Sequence, residues 1–143
     1  MGLLSDFFLA TEAEVQSCSY EDIDTHFPVL QYKNLDPVVL LSLEGILLGT
    51  DLRPGTGGVN LSLARDFGQE GPWIYPVRPT LVAALSTLTS PRLEEVAAAW
   101  AKTEEFARAS DPTSGLTELL QELSAFVRQT AAQGKRLYVK YVV

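Results

Sequence analysis

The sequence predicts one α+β domain over residues 1–143, with a small mixed or antiparallel sheet covered by about four to five helices. Three observations support this fold class: strand-like segments lie near both termini, a third lies in the middle of the chain, and helix-like segments are spread unevenly between them. The hydrophobic fraction of 46% and the charged fraction of 20% are those of a globular protein. We expect the first and last strands to be neighbours, with the last strand in the centre of the sheet.

The last third of the chain, from Asp111 to Val143, predicts one long helix followed by one strand. Asp111 is a suitable N-cap, and Gly134 stands where a helix would end. The segment that begins at Arg136 is rich in β-branched and aromatic residues, which favour a strand. The predicted core face of the helix consists of six side chains at helical spacing: Leu116, Leu119, Leu120, Leu123, Phe126 and Val127.

Two helices are predicted in the first third. Thr11 and Glu14 have the spacing of a capping box and follow a strand-like segment at 6–10, so a short helix begins there. The segment 36–49 starts with Asp-Pro, ends with glycine and is almost wholly apolar between them. Such a helix is expected to be surrounded by protein.

Two more helices follow in series, at 79–88 and from Ser90 onwards, with Ser90 as the N-cap and Trp100 in the core. The second of them can extend to Phe106. Short strands are predicted at 29–32 and at 72–78, where Pro76 restricts the strand to an edge or a terminus.

Residues 51–71 contain five glycines and predict a long loop. Within this loop Gly55-Thr-Gly57-Gly58 is similar to part of a phosphate-binding loop. The segment lacks the lysine and the serine or threonine that complete a P-loop, and it lacks the third glycine of a dinucleotide-binding site. A turn is therefore the favoured interpretation.

Charge and cysteine content bear on the class of protein. The net charge of −7 argues against binding to nucleic acid or to an anionic membrane, and it suits a protein partner that is basic. Cys18 is the only cysteine, which is typical of a reducing cytoplasm. No cofactor is indicated, and a monomer or a homodimer is expected.

The densest polar segment runs from residue 20 to residue 26. Asp22, Asp24 and His26 are candidate metal ligands, because carboxylates bind hard cations and histidine can ligate a metal or act as a general base. Their spacing matches no calcium loop, and further nitrogen or sulfur ligands for zinc are not clustered with them. A solvated acidic loop is the favoured interpretation, and no catalytic residue is predicted.

Four residues are candidates for contact with a partner: Trp73, Glu104, Glu105 and Asp111. Trp73 lies between glycine-rich and proline-rich sequence, so we expect it to be exposed. The three acids belong to the segment before the last helix and would face a basic partner.

The block from Trp100 to Phe106, the Asp111-Pro112 pair and the segment Gln133-Gly-Lys-Arg-Leu-Tyr-Val139 resemble the carboxyl end of small acidic uncharacterised bacterial proteins. The order of helix, glycine turn and strand is also similar to the YfbM-like family. This resemblance covers the last 44 residues, from Trp100 onwards. It implies a bacterial, cytoplasmic α+β protein and carries no activity or site residues.

These observations favour a non-enzymatic bacterial cytoplasmic protein that binds a macromolecule in a regulatory or immunity-like role. The alternative is a small-molecule-dependent or metal-dependent enzyme whose site lies near residues 20–26.

Overall fold

Five strands form one antiparallel sheet in the computed structural model, which describes residues 4–17, 27–33, 35, 37–50, 65–66, 72–102 and 116–142. The order across the sheet is β2-β1-β5-β4-β3, and each neighbouring pair is antiparallel. The α+β class is confirmed, and the open choice between a mixed and an antiparallel sheet is resolved. The strands are β1 (Leu4–Ala10), β2 (Val29–Lys33), β3 (Arg65–Asp66), β4 (Trp73–Pro76) and β5 (Arg136–Val142).

The first and last strands pair along their whole length, from Leu4 opposite Val142 to Ala10 opposite Arg136. On its other side β5 pairs with β4. The last strand is therefore central, as the sequence predicts. Pro76, which has no N–H to donate, is the final residue of β4, so it ends the strand at a place where a proline is tolerated.

The described residues contain five helices, in agreement with the predicted number. In α1 the carboxylate of Glu14 accepts a hydrogen bond from the Thr11 N–H (2.9 Å), and the Thr11 hydroxyl accepts one from the Glu14 N–H (3.1 Å). The capping box is thereby confirmed. The helices are α1 (Glu12–Ser17), α2 (Pro37–Leu48), α3 (Pro79–Ser86), α4 (Ser90–Ala101) and α5 (Leu116–Gln133).

The helix ends agree with the prediction in part. The N-cap of α4 is Thr89 rather than Ser90, because Thr89 has the extended backbone (φ −95°, ψ 159°) of a cap and Ser90 is already helical. Gly49 and Gly134 have φ values of 70° and 66° just after α2 and α5, the left-handed conformation that ends many helices. The proposed N-cap Asp111, the extension of α4 to Phe106 and most of the 51–71 loop lie outside the described residues.

The main core lies between the helices and one face of the sheet. Phe7 and Leu9 of β1 and Val139 of β5 point into it, and Trp100 is fully buried there, as predicted. The predicted core face of α5 is confirmed. Leu119 and Phe126 are half-buried against this core, and the other four residues of the face are buried: Leu116, Leu120, Leu123 and Val127.

The opposite face of the sheet is buried as well. Phe8, Ile74 and Tyr138 are at most 2% exposed and form a second apolar cluster, to which α1 contributes Val15. Among the described residues, no helix has both the length and the apolar character needed to cross a membrane.

Candidate functional site

Most site residues predicted from the sequence lie outside the described residues. This holds for the metal candidates Asp22, Asp24 and His26 and for the Gly55 to Gly58 turn. In the described ranges no group of three histidine, cysteine or carboxylate side chains is arranged to hold a metal ion. The enzyme hypothesis near residues 20–26 therefore stays a prediction.

Three of the four partner candidates, Glu104, Glu105 and Asp111, also lie outside the described residues. The fourth, Trp73, starts β4 and is half-buried, because it packs against the main core. Trp73 is therefore less exposed than the sequence predicts. The neighbouring glycine and proline do not stop β4 from joining the sheet, and membership in the sheet turns the indole towards the helices.

The most unusual polar group of the described chain is Glu44 in the middle of the apolar helix α2. Its side chain is 0% exposed. Arg78 Nε donates to both carboxylate oxygens of Glu44, at 2.9 and 3.1 Å, and the Thr80 hydroxyl donates to Oε2 at 2.7 Å. Because three donor contacts satisfy the carboxylate, α2 can keep a charge in its buried surface.

Local sequence explains how these groups meet. Arg78 follows β4 and directly precedes Pro79, which starts α3. The backbone at Arg78 is extended (φ −59°, ψ 135°), as is usual for a residue before proline. The N–H groups of Leu81 and Val82 donate to the Arg78 carbonyl at 3.0 and 3.1 Å, so the position of Arg78 is fixed by the start of α3.

A pocket opens beside this ion pair, which we name the Glu44 pocket. Its volume is about 200 Å³, and it lies between α2, the β4–α3 connection and β5. Its lining includes the basic residues Arg78 and Arg136 and the acidic residue Glu44. Most of its wall is apolar or aromatic, with contributions from Pro37, Leu40, Leu41, Tyr75, Val139 and Tyr141.

A larger depression adjoins this pocket, and we name it the basic groove. It has a volume of about 590 Å³ and lies between α3, the end of α5 and the start of β5. Its cations are Arg128, Lys135 and Arg136, and no carboxylate belongs to the described residues that line it. The apolar part of its wall consists of Val77, Pro79, Val82, Ala83, Val127 and Leu137.

The three basic side chains of the basic groove make different contacts with the rest of the protein. Arg128 donates to the backbone carbonyls of Ser86 and Leu88 at 3.2 and 3.1 Å and so joins α5 to the end of α3. Lys135 is 3.8 Å from the Glu14 carboxylate, a long and partly exposed ion pair. The Arg136 guanidinium lies 5.9 Å from the centre of the Tyr138 ring, a distance that permits a cation–π contact.

The second face of the sheet carries a different polar arrangement. Asp6, Gln31 and Lys140 occupy directly opposite positions on three neighbouring strands. Gln31 Nε2 donates to Asp6 Oδ1 at 2.7 Å, and Lys140 Nζ is 3.6 Å from Asp6 Oδ2. The Asp6 and Lys140 side chains are 3% and 4% exposed, so this pair has little access to a ligand.

Three described residues have shifted pKa values, and none of them lines the Glu44 pocket or the basic groove. The backbone N–H of Thr11, with further help from Lys135, holds the pKa of Glu14 below its usual value although some desolvation opposes this. Burial raises the pKa of Tyr32 and of Tyr138. These shifts follow from capping and packing, and none indicates a catalytic acid or base.

The charges are unevenly distributed along the chain. Of the 18 acidic and 11 basic residues, the side chains that the structure describes include eight of each. The remaining ten acids and three bases belong to the other segments, chiefly 18–26, 51–71 and 103–115. The negative charge of the protein is thus concentrated in these segments, whereas the described body is balanced and has a basic groove.

Sequence reasoning missed Glu44, Arg78 and Arg136 as site residues. A signal for Glu44 was present, since it is the only charged residue of an otherwise apolar helix. The two arginines carry no comparable signal, because their proximity depends on the pairing of β4 with β5. No protein-family model, curated protein or solved structure matches the chain.

Proposed function

We propose that the protein acts by binding a macromolecular partner rather than by catalysis, and that this partner is a protein with a segment of apolar and acidic side chains. The observation that carries the proposal is the basic groove. It combines an apolar wall with three cations, and no carboxylate lies among the described residues that line it. The groove is open at the surface, so a helical or extended segment of a partner can lie along it.

Electrostatics makes this recognition short-ranged. At physiological ionic strength the repulsion between the net charge of −7 and an acidic partner is largely screened at distances beyond about 8 Å. Inside that distance the groove cations dominate, and apolar contacts with Val82 and Ala83 add affinity. Complementary charge at the rim then selects the partner and its orientation.

The test compares two variants with equal changes of charge. The groove variant carries Ala83→Glu and Arg136→Glu, and the control carries Ala98→Glu and Lys33→Glu; all four positions are exposed. A partner identified by mass spectrometry after capture with the wild-type protein should be retained by the control and lost by the groove variant. Equal capture by both variants, or no specific capture by the wild type, overturns the proposal.

A second candidate is a basic protein partner held by the acid-rich segments, including Glu104, Glu105 and Asp111. It is supported by the concentration of ten acids outside the described side chains. Its test uses two consecutive glutamate pairs: Glu104→Gln with Glu105→Gln should lower the salt concentration that elutes the protein from immobilised polylysine. The matched pair on α4, Glu94→Gln with Glu95→Gln, should lower it less, and equal effects count against this candidate.

We also propose that the protein is bacterial and cytoplasmic and that it is a monomer or a homodimer. Nucleic acid is not proposed as a partner. Its support is the single cysteine, the acidic composition and the resemblance of the last 44 residues to small acidic bacterial proteins. Size-exclusion chromatography with light scattering distinguishes the monomer from the dimer.

A further inference from the structure

We propose that the Glu44 pocket binds a small organic monoanion, namely an apolar group of about the size of one ring that carries a carboxylate. This inference goes beyond the proposed function, since it concerns a different depression and needs no macromolecular partner. It follows from the volume of the pocket, from the charges at its edge and from the character of its wall.

Volume limits the ligand. The pocket measures about 200 Å³, whereas a dry cavity of about 150 Å³ is known to accept one benzene molecule. The remaining space suits a carboxylate attached to the ring. Nucleotides and drug-sized ligands need pockets of roughly 300–1,000 Å³, so they are too large for this one.

Charge selects an anion. The Glu44 carboxylate is neutralised by Arg78, and Arg136 also lines the pocket, so the residues of its lining carry one positive charge in excess. Arg78 uses only Nε for Glu44 and is 28% exposed. In the described chain the terminal nitrogens of Arg78 make no hydrogen bond, and they remain available to a carboxylate, for which guanidinium is a bidentate donor.

The wall of the pocket suits the apolar part of such a ligand. Leu40 of α2 and Val139 of β5 are aliphatic, and the rings of Tyr75 and Tyr141 meet edge to face with centroids 5.8 Å apart. The Tyr141 hydroxyl donates to the Leu35 carbonyl at 2.6 Å, which fixes this ring in place. A ligand ring can therefore pack on a rigid aromatic surface.

The test titrates ¹⁵N-labelled protein with benzoate, cyclohexanecarboxylate and benzamide and follows amide shifts by NMR. We expect benzoate to bind about tenfold or more tightly than neutral benzamide, because charge-assisted hydrogen bonds to Arg78 are lost in the amide. The largest shifts should lie at Leu40, Tyr75 and Val139. Comparison of the two carboxylates shows whether the pocket prefers an aromatic or an aliphatic ring.

Two variants test the charges. Arg136→Gln, at an exposed position, should weaken benzoate binding two- to threefold or so, and more at low salt than at high salt. Glu44→Leu with Arg78→Met removes the anion contact together with the buried carboxylate and should weaken binding about tenfold or more. Ala98→Glu, remote from the pocket, is the control and should bind benzoate as the wild type does.

The proposal is overturned if benzoate does not bind, if benzamide binds equally well, or if the shifts lie outside the pocket. If the double variant does not fold, Arg136→Gln and the comparison with benzamide still decide the question. Binding is measured on the isolated protein, so failure here is separate from failure to capture a partner in the groove.

Discussion

Replacing Arg78 by methionine should destabilise the protein far more than replacing its partner Glu44 by leucine. The Glu44 side chain is 0% exposed, whereas Arg78 is 28% exposed. After Arg78→Met the carboxylate stays buried with only the Thr80 hydroxyl as a donor. After Glu44→Leu the arginine can turn towards water, and a leucine fills part of the apolar surface of α2.

The magnitude follows from this asymmetry. Removal of one partner of a fully buried ion pair typically costs about 3–5 kcal/mol. Because Arg78 is partly exposed, solvent already screens the pair, and we expect about 2–3 kcal/mol for Arg78→Met. Glu44→Leu and the double variant should lie within about 1 kcal/mol of the wild type, since an apolar replacement of a buried pair is often neutral.

Urea unfolding followed by circular dichroism measures these differences. With a slope of about 2 kcal/mol per molar urea, Arg78→Met should lower the midpoint by roughly 1–1.5 M. Adding Glu44→Leu to this variant should restore most of the loss. If the double variant is less stable than Arg78→Met alone, or if the two single variants are equally destabilised, the reasoning from burial is refuted.

Three further predictions follow from the same structure. Ser124 is 2% exposed and its hydroxyl has no hydrogen-bond partner among the described residues, so Ser124→Ala should raise the free energy of unfolding by up to about 1 kcal/mol in urea melts. The pKa of the Glu14 carboxylate is lowered in the folded protein, so its contribution to folding stability is present above its unfolded pKa and is lost as the pH falls through its folded pKa. Glu14→Gln should therefore be less stable than the wild type at pH 7, and urea melts at about pH 3 should show a smaller difference. A chain ending at Gly134 lacks the central strand β5 and should show no cooperative thermal transition by circular dichroism, whereas a wild-type-like melt would contradict the sheet order.

The elements of the fold are predictable here because their signals are local. The capping box of Thr11 and Glu14 and the glycines after α2 and α5 fix helix ends through contacts within a few residues. The expectation that the first and last strands pair, with β5 in the centre of the sheet, is confirmed. In contrast, Trp73 was misjudged because its neighbours in sequence indicate a turn, whereas its burial depends on pairing with Tyr141 in a distant strand.

The candidate site was much less predictable, for a physical reason. Arg78 and Arg136 are 58 positions apart and carry no motif; they line one pocket because Val77 donates its N–H to the Leu137 carbonyl at 2.9 Å, which continues the β4–β5 pairing. Composition alone would predict an acidic surface, because the net charge is negative, whereas the basic groove is lined by basic residues. Net charge therefore predicts long-range behaviour, and the local site requires the fold.

The cross-strand row of Asp6, Gln31 and Lys140, in which Asp6 and Lys140 are buried, explains why the three strands adopt one register. Side chains alternate between the two faces of a strand, so a shift of β1 by one residue against β5 would move Asp6 from Lys140 to the helix-packed face. An unpaired carboxylate would then enter the main core, and a lysine that is 4% exposed would lose that partner on the second face. Apolar residues occur on both faces of β1, with Phe7 on one and Phe8 on the other, so hydrophobicity alone would discriminate poorly between the two registers. The charged pair therefore contributes specificity of pairing more than net stability, and it holds β5 in the register that brings Arg136 beside the Glu44 pocket and the basic groove.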